Sequence, residues 1–471
     1  MRKRSIYLNL SPLDHRYLLS NRSEFEQLER YLSEEASIRY CVKVELALLK
    51  SILKDDSLVA GLDDVEANVS PDEVYAEEEK THHNIRALVN VLKRKVPAET
   101  QHLVHLGATS ADILDTAASM RYRDATKRVV LPLLIALERQ LITICEQEAA
   151  TPQIGRTHGQ HGIPLTFGFA VAEYVARLGK SIVRIQQKSG NLCGKLAGAV
   201  GAYNALSLVV ADPQETEQEF HKYVGLKPSE YATQVIEPEY LLELLLELNT
   251  AFGIIANLAD DLRNLQRTEI GEVKEGFTRD QVGSSTMPQK RNPWNSEHVK
   301  SLWKTFAPRV VTFFLDQISE HQRDLSNSAS SRFVASYYGG FVAAANRMKS
   351  VLASLFVDRE RMSNNLGLSG DLMLSEAAYI LLAMGGDLDA HEKVRKATLA
   401  CEKTGRSLLE VLKEDASLWE TICTSARKNL AVGAEEFFGN PSRYTGIACK
   451  KAQQLAHKYA SIMAEVEEAL G

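Results

Sequence analysis

Residues 241–262, LLELLLELNTAFGIIANLADDL, carry apolar side chains on nearly every face of a helix. A helix of this kind is buried, either in a large bundle or against partner subunits. Long helical stretches with apolar residues on more than one face are also found at about 164–195, 294–325 and 330–355. Together they predict a central bundle that completes its core by oligomerising.

The rest of the chain is also predicted to be largely helical. Apolar residues recur at spacings of three and four at 23–54 and 81–96, and residues 110–150 predict one very long helix or two in tandem, broken near Pro132. Strand signals are sparse, and the best of them, SIYLNL at 5–10, is weak. The predicted fold class is therefore all-α.

At 471 residues the chain is too long for one ordinary core. We predict three helical domains: an N-terminal domain at 1–109, the central long-helix bundle at 110–355 and a smaller C-terminal domain at 356–471. In the last of these, shorter helices are separated by turn-rich segments such as NNLGLSGD and GNPSRYTG.

Composition and charge exclude several classes of protein. The net charge of −6 shows no domain-wide basic excess of the kind that binds nucleic acid, so an anionic ligand must be held by a local cluster of cations. The six cysteines are scattered without a CxxC pair, which favours reduced thiols over a disulfide framework or a zinc site. No long apolar run follows the basic N-terminus, and no window is long and uncharged enough to span a bilayer. We expect a soluble protein of the cytoplasm.

The segment 283–297, GSSTMPQKRNPWNSE, is the richest in chemistry. Its glycine supplies backbone freedom, and its two prolines exclude one uninterrupted helix. Such a loop suits chemistry at a carboxylate, because Lys290 and Asn292 can hold oxygens while Ser284 or Ser285 faces the neighbouring carbon. Composition alone favours an ordinary surface loop.

Two histidine-bearing segments are further candidates. In GRTHGQHGIPLTFG at 155–168, His158 is flanked by glycines before a proline, which predicts a position at the mouth of a helix. His158 and His161 have a spacing that a metal could use only in principle, since no cysteine or acidic ligand is near in sequence. In THHN at 81–84, adjacent histidines on a helix point in different directions, so at most one faces a site.

The segment HLGATSADILDTA at 105–117 predicts the start of a helix. Thr109 and Ser110 can cap that helix, and Asp112 favours its first turn. A helix N-terminus with two hydroxyl groups is also a carboxylate site, because free N–H groups point at the anion. The structural and the functional interpretations are compatible.

Two of these segments carry signatures of a known superfamily. The run at 283–297 matches G-S-S-x-M-P-x-K-x-N, and RTHG at 155–168 matches a second signature, so the chain resembles the fumarase/aspartase superfamily. Its members cleave a C–N or C–O bond beta to a carboxylate and release fumarate or a close relative. The resemblance implies that His158 handles a proton and that the T-S-x-D segment after His105 binds the succinyl carboxylates.

Within that superfamily, several segments resemble the adenylosuccinate lyases. These are SPLDHRY (11–17), THHNIRALVNVLKRKV (81–96), GAVGAYNA (198–205), ATQVIEPEY (232–240) and HQRDLSNSASSR (321–332). The resemblance covers about residues 5–360 and is loose in the C-terminal domain. It implies that the following residues contact substrate: Arg16, Tyr17, His105, Thr109, Ser110, Thr157, Gln234, Ser285, Met287, Asn292, Arg323, Ser328 and Arg332.

Two positions depart from the adenylosuccinate lyase pattern. Gln289 stands where an aromatic residue or histidine is usual, and a glutamine there is found in argininosuccinate lyases. Asn84 stands where an aspartate is usual. The arginines at 16, 323 and 332 favour a phosphorylated substrate, and argininosuccinate has no phosphate. An argininosuccinate or other N-succinyl lyase is therefore the nearest alternative, and a catalytically inert structural homologue is a remote one.

The resemblance implies an anti β-elimination that gives AMP and fumarate from adenylosuccinate, and AICAR and fumarate from SAICAR. Ser284 is the expected base, His158 the acid oriented by Glu297, and His83 a support for phosphate binding or proton transfer. The negative intermediate is stabilised by Lys290, with Asn292, Thr109 and Ser110. No cofactor or metal is needed. The resemblance further implies a homotetramer with a 20-helix core, in which three subunits build each site.

Overall fold

The computed structural model describes residues 5–53, 55–277 and 283–471. The predicted all-α fold is confirmed, with 68% of the chain in helices. The helices are α1 (Arg16–Ser20), α2 (Arg22–Leu32), α3 (Glu34–Ile52), α4 (Asp56–Ala60), α5 (Pro71–Thr81), α6 (Asn84–Lys93), α7 (Ser110–Ala125), α8 (Leu131–Gln147), α9 (Phe167–Gly190), α10 (Pro213–Val224), α11 (Glu239–Leu265), α12 (Trp294–Phe306), α13 (Arg309–Leu315), α14 (Val334–Ala353), α15 (Arg359–Gly367), α16 (Ser375–Met384), α17 (Ala390–Thr404), α18 (Leu408–Glu414), α19 (Ala416–Asn429), α20 (Ala434–Phe438) and α21 (Ala448–Glu468).

The centre of the molecule is a bundle of long helices. Helix α9 packs against α8, α11 and α21, while α14 packs against α8, α11 and α12. Leu244, Leu248 and Phe252 of α11 are fully buried, and the Phe252 ring meets Phe341 of α14 edge to face at a centroid distance of 5.4 Å. Each such side chain contributes roughly 1.5–3 kcal/mol by leaving water. The stretch that predicted a buried helix therefore lies in the core.

By length and composition, α11 could also cross a membrane, contrary to the sequence-based expectation that no window would do so. Within the described residues, the helix pair Arg359–Gly367 and Gly370–Met384 also passes this test if the two helices, which are bent by 86°, are treated as one span. In α11, 56% of the relevant window is buried inside this chain. Its apolar surface is thus used largely for packing within the bundle.

Several predicted helix limits are corrected by local chemistry. The 110–150 stretch consists of α7 and α8 joined by a π-helical turn at Thr126–Val130. Pro132 lies in the first turn of α8, where a missing N–H costs little. The 23–54 stretch is divided at Ser33, whose hydroxyl accepts the N–H of Ala36 and so caps α3.

Two further sequence predictions are wrong in detail. The 294–325 helix ends at Phe306, and α13 follows Pro308 and ends at Leu315. A proline removes one N–H from the helical ladder, which accounts for the interruption. SIYLNL forms a 3₁₀ turn at Ile6–Leu8 rather than a strand.

The strands are short and occur in pairs. Strands β1 (Pro152–Thr157) and β2 (Gln160–Thr166) form an antiparallel hairpin that the sequence analysis missed. Strands β3 (Cys193–Gly194) and β4 (Lys227–Pro228) are parallel, whereas β5 (Val273–Lys274) and β6 (Phe356–Val357) are antiparallel. Strand β5 links α11 to the segment that carries the 283–297 signature.

In the ranges that the structure describes, the buried apolar side chains form three clusters. The largest belongs to the central bundle, the second joins α3, α6, α10 and the first half of α7, and the third joins α16 to α20. Helix α21 packs in the central cluster through Ala452, Ala456 and Met463. The domain limits 1–109, 110–355 and 356–471 stay a prediction.

Candidate active site

The N-terminus of α7 is built as the sequence predicted. Thr109 is its N-cap residue and Ser110 its first helical residue. The Thr109 N–H donates to a carboxylate oxygen of Asp112 at 2.7 Å, which completes the first turn. This arrangement leaves the start of α7 suited to bind an anion.

Asp112 is paired with a lysine that the sequence analysis did not identify. Both side chains are fully buried, and the Lys195 Nζ lies 2.6 Å from an Asp112 oxygen. The same ammonium group donates to the backbone carbonyl oxygens of Gln234 at 3.0 Å and Gly198 at 3.2 Å. The predicted substrate residue Gln234 is therefore held near the N-terminus of α7.

A second carboxylate holds the Gln234 segment from the next turn of α7. Asp115 accepts the N–H of Ile236 at 3.0 Å, and burial raises the pKa of Asp115 to about 6. The Gln234 N–H donates to the carbonyl oxygen of Gln322 at 3.2 Å, so the segment that precedes Arg323 is joined to the same group. The structure thus brings Thr109, Gln234 and the start of the Arg323 segment together.

His105 lies just before α7 in a left-handed conformation, with φ of 62°. Its Nδ1 is 2.7 Å from a carboxylate oxygen of Glu45, which is buried on α3. Burial by itself lowers the pKa of His105, but the hydrogen bond and the charge of Glu45 outweigh it, so the pKa is raised. Glu45 and His105 are 60 residues apart, and no sequence motif relates them.

The histidines of THHN lie at a break between two helices rather than on one helix. His82 follows α5 with a positive φ of 52°, and His83 caps α6 by accepting the N–H of Arg86 on Nδ1 at 3.2 Å. The prediction that they share a helix is therefore wrong. His83 is exposed, and its proposed role stays a prediction.

His158 lies at the tip of the β1–β2 hairpin. Its φ is 55°, and the side chains of Thr157 and His158 are exposed. The predicted position at the mouth of a helix is wrong, because all of β2 comes between His158 and the start of α9. Within the part of the chain that is described, no hydrogen bond is made by the side chain of Thr157 or His158.

A buried carboxylate anchors the base of this hairpin. Glu272, just before β5, accepts two hydrogen bonds from the Arg156 guanidinium, at 2.6 and 3.1 Å. It also accepts from Gln153 at 2.7 Å and from Asn365 at 2.8 Å. Arg156 precedes Thr157, so the exposed tip is supported by a rigid base.

The 283–297 signature is a loop that leads into α12, as predicted. The Ser284 hydroxyl oxygen accepts the N–H groups of Met287 at 3.1 Å and Thr286 at 3.4 Å. The Asn292 side chain donates to the carbonyl oxygen of Gly283 at 3.1 Å. A Cβ at Gly283 would collide with the carbonyl oxygen of Lys290, so the loop closes only on a glycine.

The side chains of Ser285, Met287 and Lys290 are exposed, whereas Ser284 and Asn292 are half-buried. Glu297 is exposed in the first turn of α12. Among the described residues, no hydrogen bond or ion pair joins Glu297 to His158, so their predicted partnership does not occur within one chain.

Glu275 fixes the end of this loop. One of its oxygens accepts the N–H of Ser296 at 2.8 Å and the hydroxyl of Ser296 at 2.6 Å. The other accepts from the Asn295 side chain at 2.9 Å. Glu275 lies three residues after Glu272, so the short β5 segment supports both the hairpin and the loop.

The predicted phosphate residues Arg16 and Tyr17 lie beside α12. The Tyr17 hydroxyl is 3.1 Å from the Nε2 of His298, and the two rings stack. Burial and the positive charges of Arg347 and Arg16 lower the pKa of His298. His298 and Arg347 were not predicted from the sequence, because neither occupies a position of the superfamily signatures and Arg347 comes from the core helix α14.

Arg347 is held in a defined orientation. Its guanidinium donates to Asn295 at 2.8 Å and lies 4.9 Å from the centre of the Trp294 ring. The half-buried Arg323 has a φ of 81° and donates to the carbonyl oxygen of Gln317 and the hydroxyl of Ser319, each at 3.2 Å. Ser328 and Arg332 are exposed.

Fifteen of the predicted residues form three groups on one chain, and His83, Ser328 and Arg332 are not part of them. The α7 group contains His105, Thr109, Ser110, Gln234 and Arg323. The hairpin group contains Thr157 and His158. The loop group contains Ser284, Ser285, Met287, Lys290, Asn292 and Glu297, together with Arg16 and Tyr17. In the described ranges no hydrogen bond connects one group to another, and no three His, Cys, Asp or Glu side chains are grouped to hold a metal ion.

Comparisons of sequence with known proteins give one consistent result. Residues 16–305 match the family described as lyase, and residues 319–430 match the adenylosuccinate lyase C-terminal family. The chain is 32% identical over 468 residues to the adenylosuccinate lyase of Pyrococcus abyssi, covering 97% of this chain and 98% of that one. It is 33% identical over 419 residues to the adenylosuccinate lyase of Archaeoglobus fulgidus, covering 86% and 90%.

Solved structures agree on the fold. The chain matches the 3-carboxy-cis,cis-muconate lactonizing enzyme from Pseudomonas putida with a TM-score of 0.77 and 23% identity, over 93% of this chain and 97% of that one. It matches the fumarate lyase from Mesorhizobium sp. BNC1 with a TM-score of 0.77 and 22% identity, over 92% and 97%. At this identity the likeness concerns architecture alone.

Proposed function

This chain belongs to the adenylosuccinate lyase family of the fumarase/aspartase superfamily, and from that membership we propose that it is a carbon–nitrogen lyase that converts adenylosuccinate to AMP and fumarate. The same site would convert SAICAR to AICAR and fumarate in purine nucleotide biosynthesis. We further propose that it works in the cytoplasm.

One observation supports a phosphorylated substrate in particular. Arg16 and Tyr17 lie with Arg347 and His298 at the end of the signature loop. Guanidinium groups beside a phenol and an imidazole offer the charge and the hydrogen-bond donors that a phosphate monoester requires. The net charge of −6 makes such a local cluster necessary.

The geometry of Ser284 supports its assignment as the base. Its oxygen accepts two backbone N–H groups, from Thr286 and Met287, and such donors favour the anionic form of a hydroxyl. The serine oxygen removes the proton from the carbon next to a succinyl carboxylate. Lys290 and Asn292, on the same loop, stabilise the additional negative charge on that carboxylate.

Breaking the C–N bond then releases fumarate and leaves negative charge on the nitrogen of the amine. His158 protonates this nitrogen as the general acid, with Glu297 as its orienting partner. His83 supports the phosphate or the proton transfer. Thr109 and Ser110 bind the succinyl carboxylates. The remaining contacts with substrate are made by Arg16, Tyr17, His105, Thr157, Gln234, Ser285, Met287, Arg323, Ser328 and Arg332.

The three groups meet only between subunits in this proposal. The chain would assemble as a homotetramer with a 20-helix core, and each site would take one group from each of three subunits. Two features support this arrangement: the side chains of His158, Lys290 and Glu297 are exposed, and His158 has no partner among the described residues. Val311, Phe314 and Leu315 also expose apolar surface on α13.

The first experiment is a fumarate-release assay with adenylosuccinate, run beside argininosuccinate. Release from adenylosuccinate alone is the expected result. The second candidate is an argininosuccinate lyase, which is favoured by the exposed Gln289 because a glutamine at this position is found in argininosuccinate lyases. Release from argininosuccinate alone would establish that alternative. Release from neither would overturn both.

The composite site has its own test. His158→Gln and Ser284→Ala homotetramers are each expected to be inactive, whereas tetramers reassembled from a mixture contain sites with neither substitution and recover activity. A mixture of Ser284→Ala with Lys290→Met is the matched control. Both residues lie on one loop, so every loop in a mixed tetramer carries one of the two substitutions and no activity should be recovered. Equal recovery in both mixtures would contradict the three-subunit site.

A further inference from the structure

Lys195 is a charged side chain in a place that normally excludes one. It is fully buried, and its Nζ has three acceptors: an Asp112 carboxylate oxygen and the carbonyl oxygens of Gly198 and Gln234. An ammonium group has three N–H donors, so its hydrogen-bonding capacity is completely used. Burying a charge is costly unless it is paired in this way, and an apolar side chain would stabilise the fold more simply.

Asp112 connects this lysine to the start of α7. Its carboxylate accepts the N–H groups of Thr109 at 2.7 Å, Ala197 at 3.0 Å and Gly198 at 3.2 Å. The backbone of Lys195 is itself fixed to α7, because its N–H donates to the Thr116 hydroxyl at 3.1 Å and its carbonyl oxygen accepts from that hydroxyl at 3.2 Å. The lysine therefore has a fixed position relative to the predicted carboxylate site.

The segment around Gln234 has no long helix or strand of its own to position it. Its nearest regular elements are a two-residue strand, β4, and the start of α11. Within the described residues, Lys195 is the single side chain that donates to the Gln234 carbonyl oxygen. Asp115 accepts from Ile236 on the same segment, so two residues of the α7 region hold it from both sides.

We propose that Lys195 is a positioning residue of the active site, which sets the distance between the Gln234 segment and the N-terminus of α7 so that both contact one end of an N-succinyl nucleotide. This inference rests on the proposed function. Lys195 does not touch the substrate and acts through Asp112 and the Gln234 backbone. Replacing Lys195 displaces the Gln234 segment but leaves the proposed base, Ser284, and the proposed acid, His158, unchanged.

The test separates binding from folding through the steady-state constants. Lys195→Met retains most of the aliphatic stem and removes the cation. We expect KM for adenylosuccinate to rise by about tenfold or more while kcat per folded site changes by less than about threefold, because contacts equal in ground and transition states affect KM alone. Loss of folded protein lowers the apparent kcat and leaves KM unchanged.

Thr126→Val is the matched control. Thr126 and Tyr338 form a buried hydroxyl pair at 2.8 Å in the central bundle, and Thr126 follows the C-terminal end of α7, opposite to the end that carries Thr109 and Ser110. The variant should lower the melting temperature without a change in KM. A rise in KM for Thr126→Val equal to that for Lys195→Met would overturn the positioning role.

Asp115→Asn is a second variant, for the case in which Lys195→Met does not fold. Asp115→Asn keeps an oxygen that can accept the Ile236 N–H and removes only the charge, so the fold should persist. We expect KM to rise by about threefold or more with kcat retained. A wild-type enzyme that releases no fumarate from adenylosuccinate would refute the proposed function, whereas an active wild type with unchanged KM in the folded variants would refute the role of Lys195.

Discussion

The buried carboxyl group of Glu138 should destabilise the folded protein, and increasingly so as pH rises. It lies on α8, is fully buried, and has no hydrogen-bond partner for either carboxylate oxygen among the described residues. Its surroundings are Gly179 of α9 and Tyr459 of α21, with Cys145 of α8 nearby. Burial raises the pKa of Glu138 well above its usual range, so folding favours the protonated, neutral form of this side chain.

We predict that Glu138→Leu stabilises the protein. Removing a buried polar group that has no partner should raise the free energy of unfolding by about 1–3 kcal/mol, and leucine has a volume similar to that of glutamate. A second contribution comes from proton linkage. Above the unfolded-state pKa of 4.5 the unfolded chain loses the proton and the folded chain keeps it, which favours unfolding. The wild type thus loses about 1.4 kcal/mol per pH unit until the folded-state pKa is reached.

Glu138→Gln separates the two contributions. Glutamine retains a polar group in the same place but cannot ionise, so its advantage over the wild type should be close to zero at pH 4.5 and should grow at higher pH. Gly179→Ala is the opposite control at the same site: a Cβ there would collide with the Tyr459 ring, and overpacking of this kind costs about 1–3 kcal/mol.

The assay is thermal unfolding of the three variants and the wild type at pH 5 and pH 7, at equal protein concentration so that assembly contributes equally. The expected order of melting temperature at pH 7 is Glu138→Leu, then Glu138→Gln, then the wild type, then Gly179→Ala. A Glu138→Leu protein less stable than the wild type, or a difference that does not grow with pH, would show that Glu138 has a stabilising polar partner such as a buried water.

Three further outcomes are expected. Ser284→Ala should reduce fumarate release by about a hundredfold to ten-thousandfold, with adenylosuccinate binding by calorimetry nearly unchanged; retained turnover would place the base elsewhere. Glu45→Gln should lower the pKa of His105, so the stability lost in the variant is largest below pH 6.5 and decreases as pH rises through the folded-state pKa; thermal unfolding across that range checks the sign. Glu272→Ala leaves Arg156 without its carboxylate and should cost about 3–5 kcal/mol, and an unchanged urea midpoint would contradict the proposed anchoring of the hairpin.

The helices could be predicted because their signal is local and repeated. The apolar period of 241–262 is enough to place α11 in a core, whatever its neighbours are. The hairpin could not be predicted in the same way. Gly155, Gly162 and Pro164 are residues that strands usually avoid, yet a Cβ at Gly155 would lie 2.7 Å from the carbonyl oxygen of Ile163. Pairing of the strands therefore requires the glycine that made the strand hard to predict.

The candidate site could also be predicted only in part from the sequence. Motif order was sufficient to choose Ser284, His158 and Thr109, because the superfamily signatures are contiguous. Their supports are not contiguous: Lys195 meets Asp112 across 83 residues, and Arg156 meets Glu272 across 116. A lysine or glutamate that ends as a buried partner has the same one-letter code as one on the surface, so only the fold reveals it.

These supports share a pattern that bears on assembly. Each group of candidate residues is backed by a buried carboxylate of the same chain: Asp112 behind the α7 group, Glu272 behind the hairpin, and Glu275 behind the loop. A site that is completed by neighbouring subunits, as we propose, requires this, because each part must keep its shape before its partners arrive. Precision to a fraction of an ångström in the assembled site then depends on ion pairs and hydrogen bonds that lie away from the substrate.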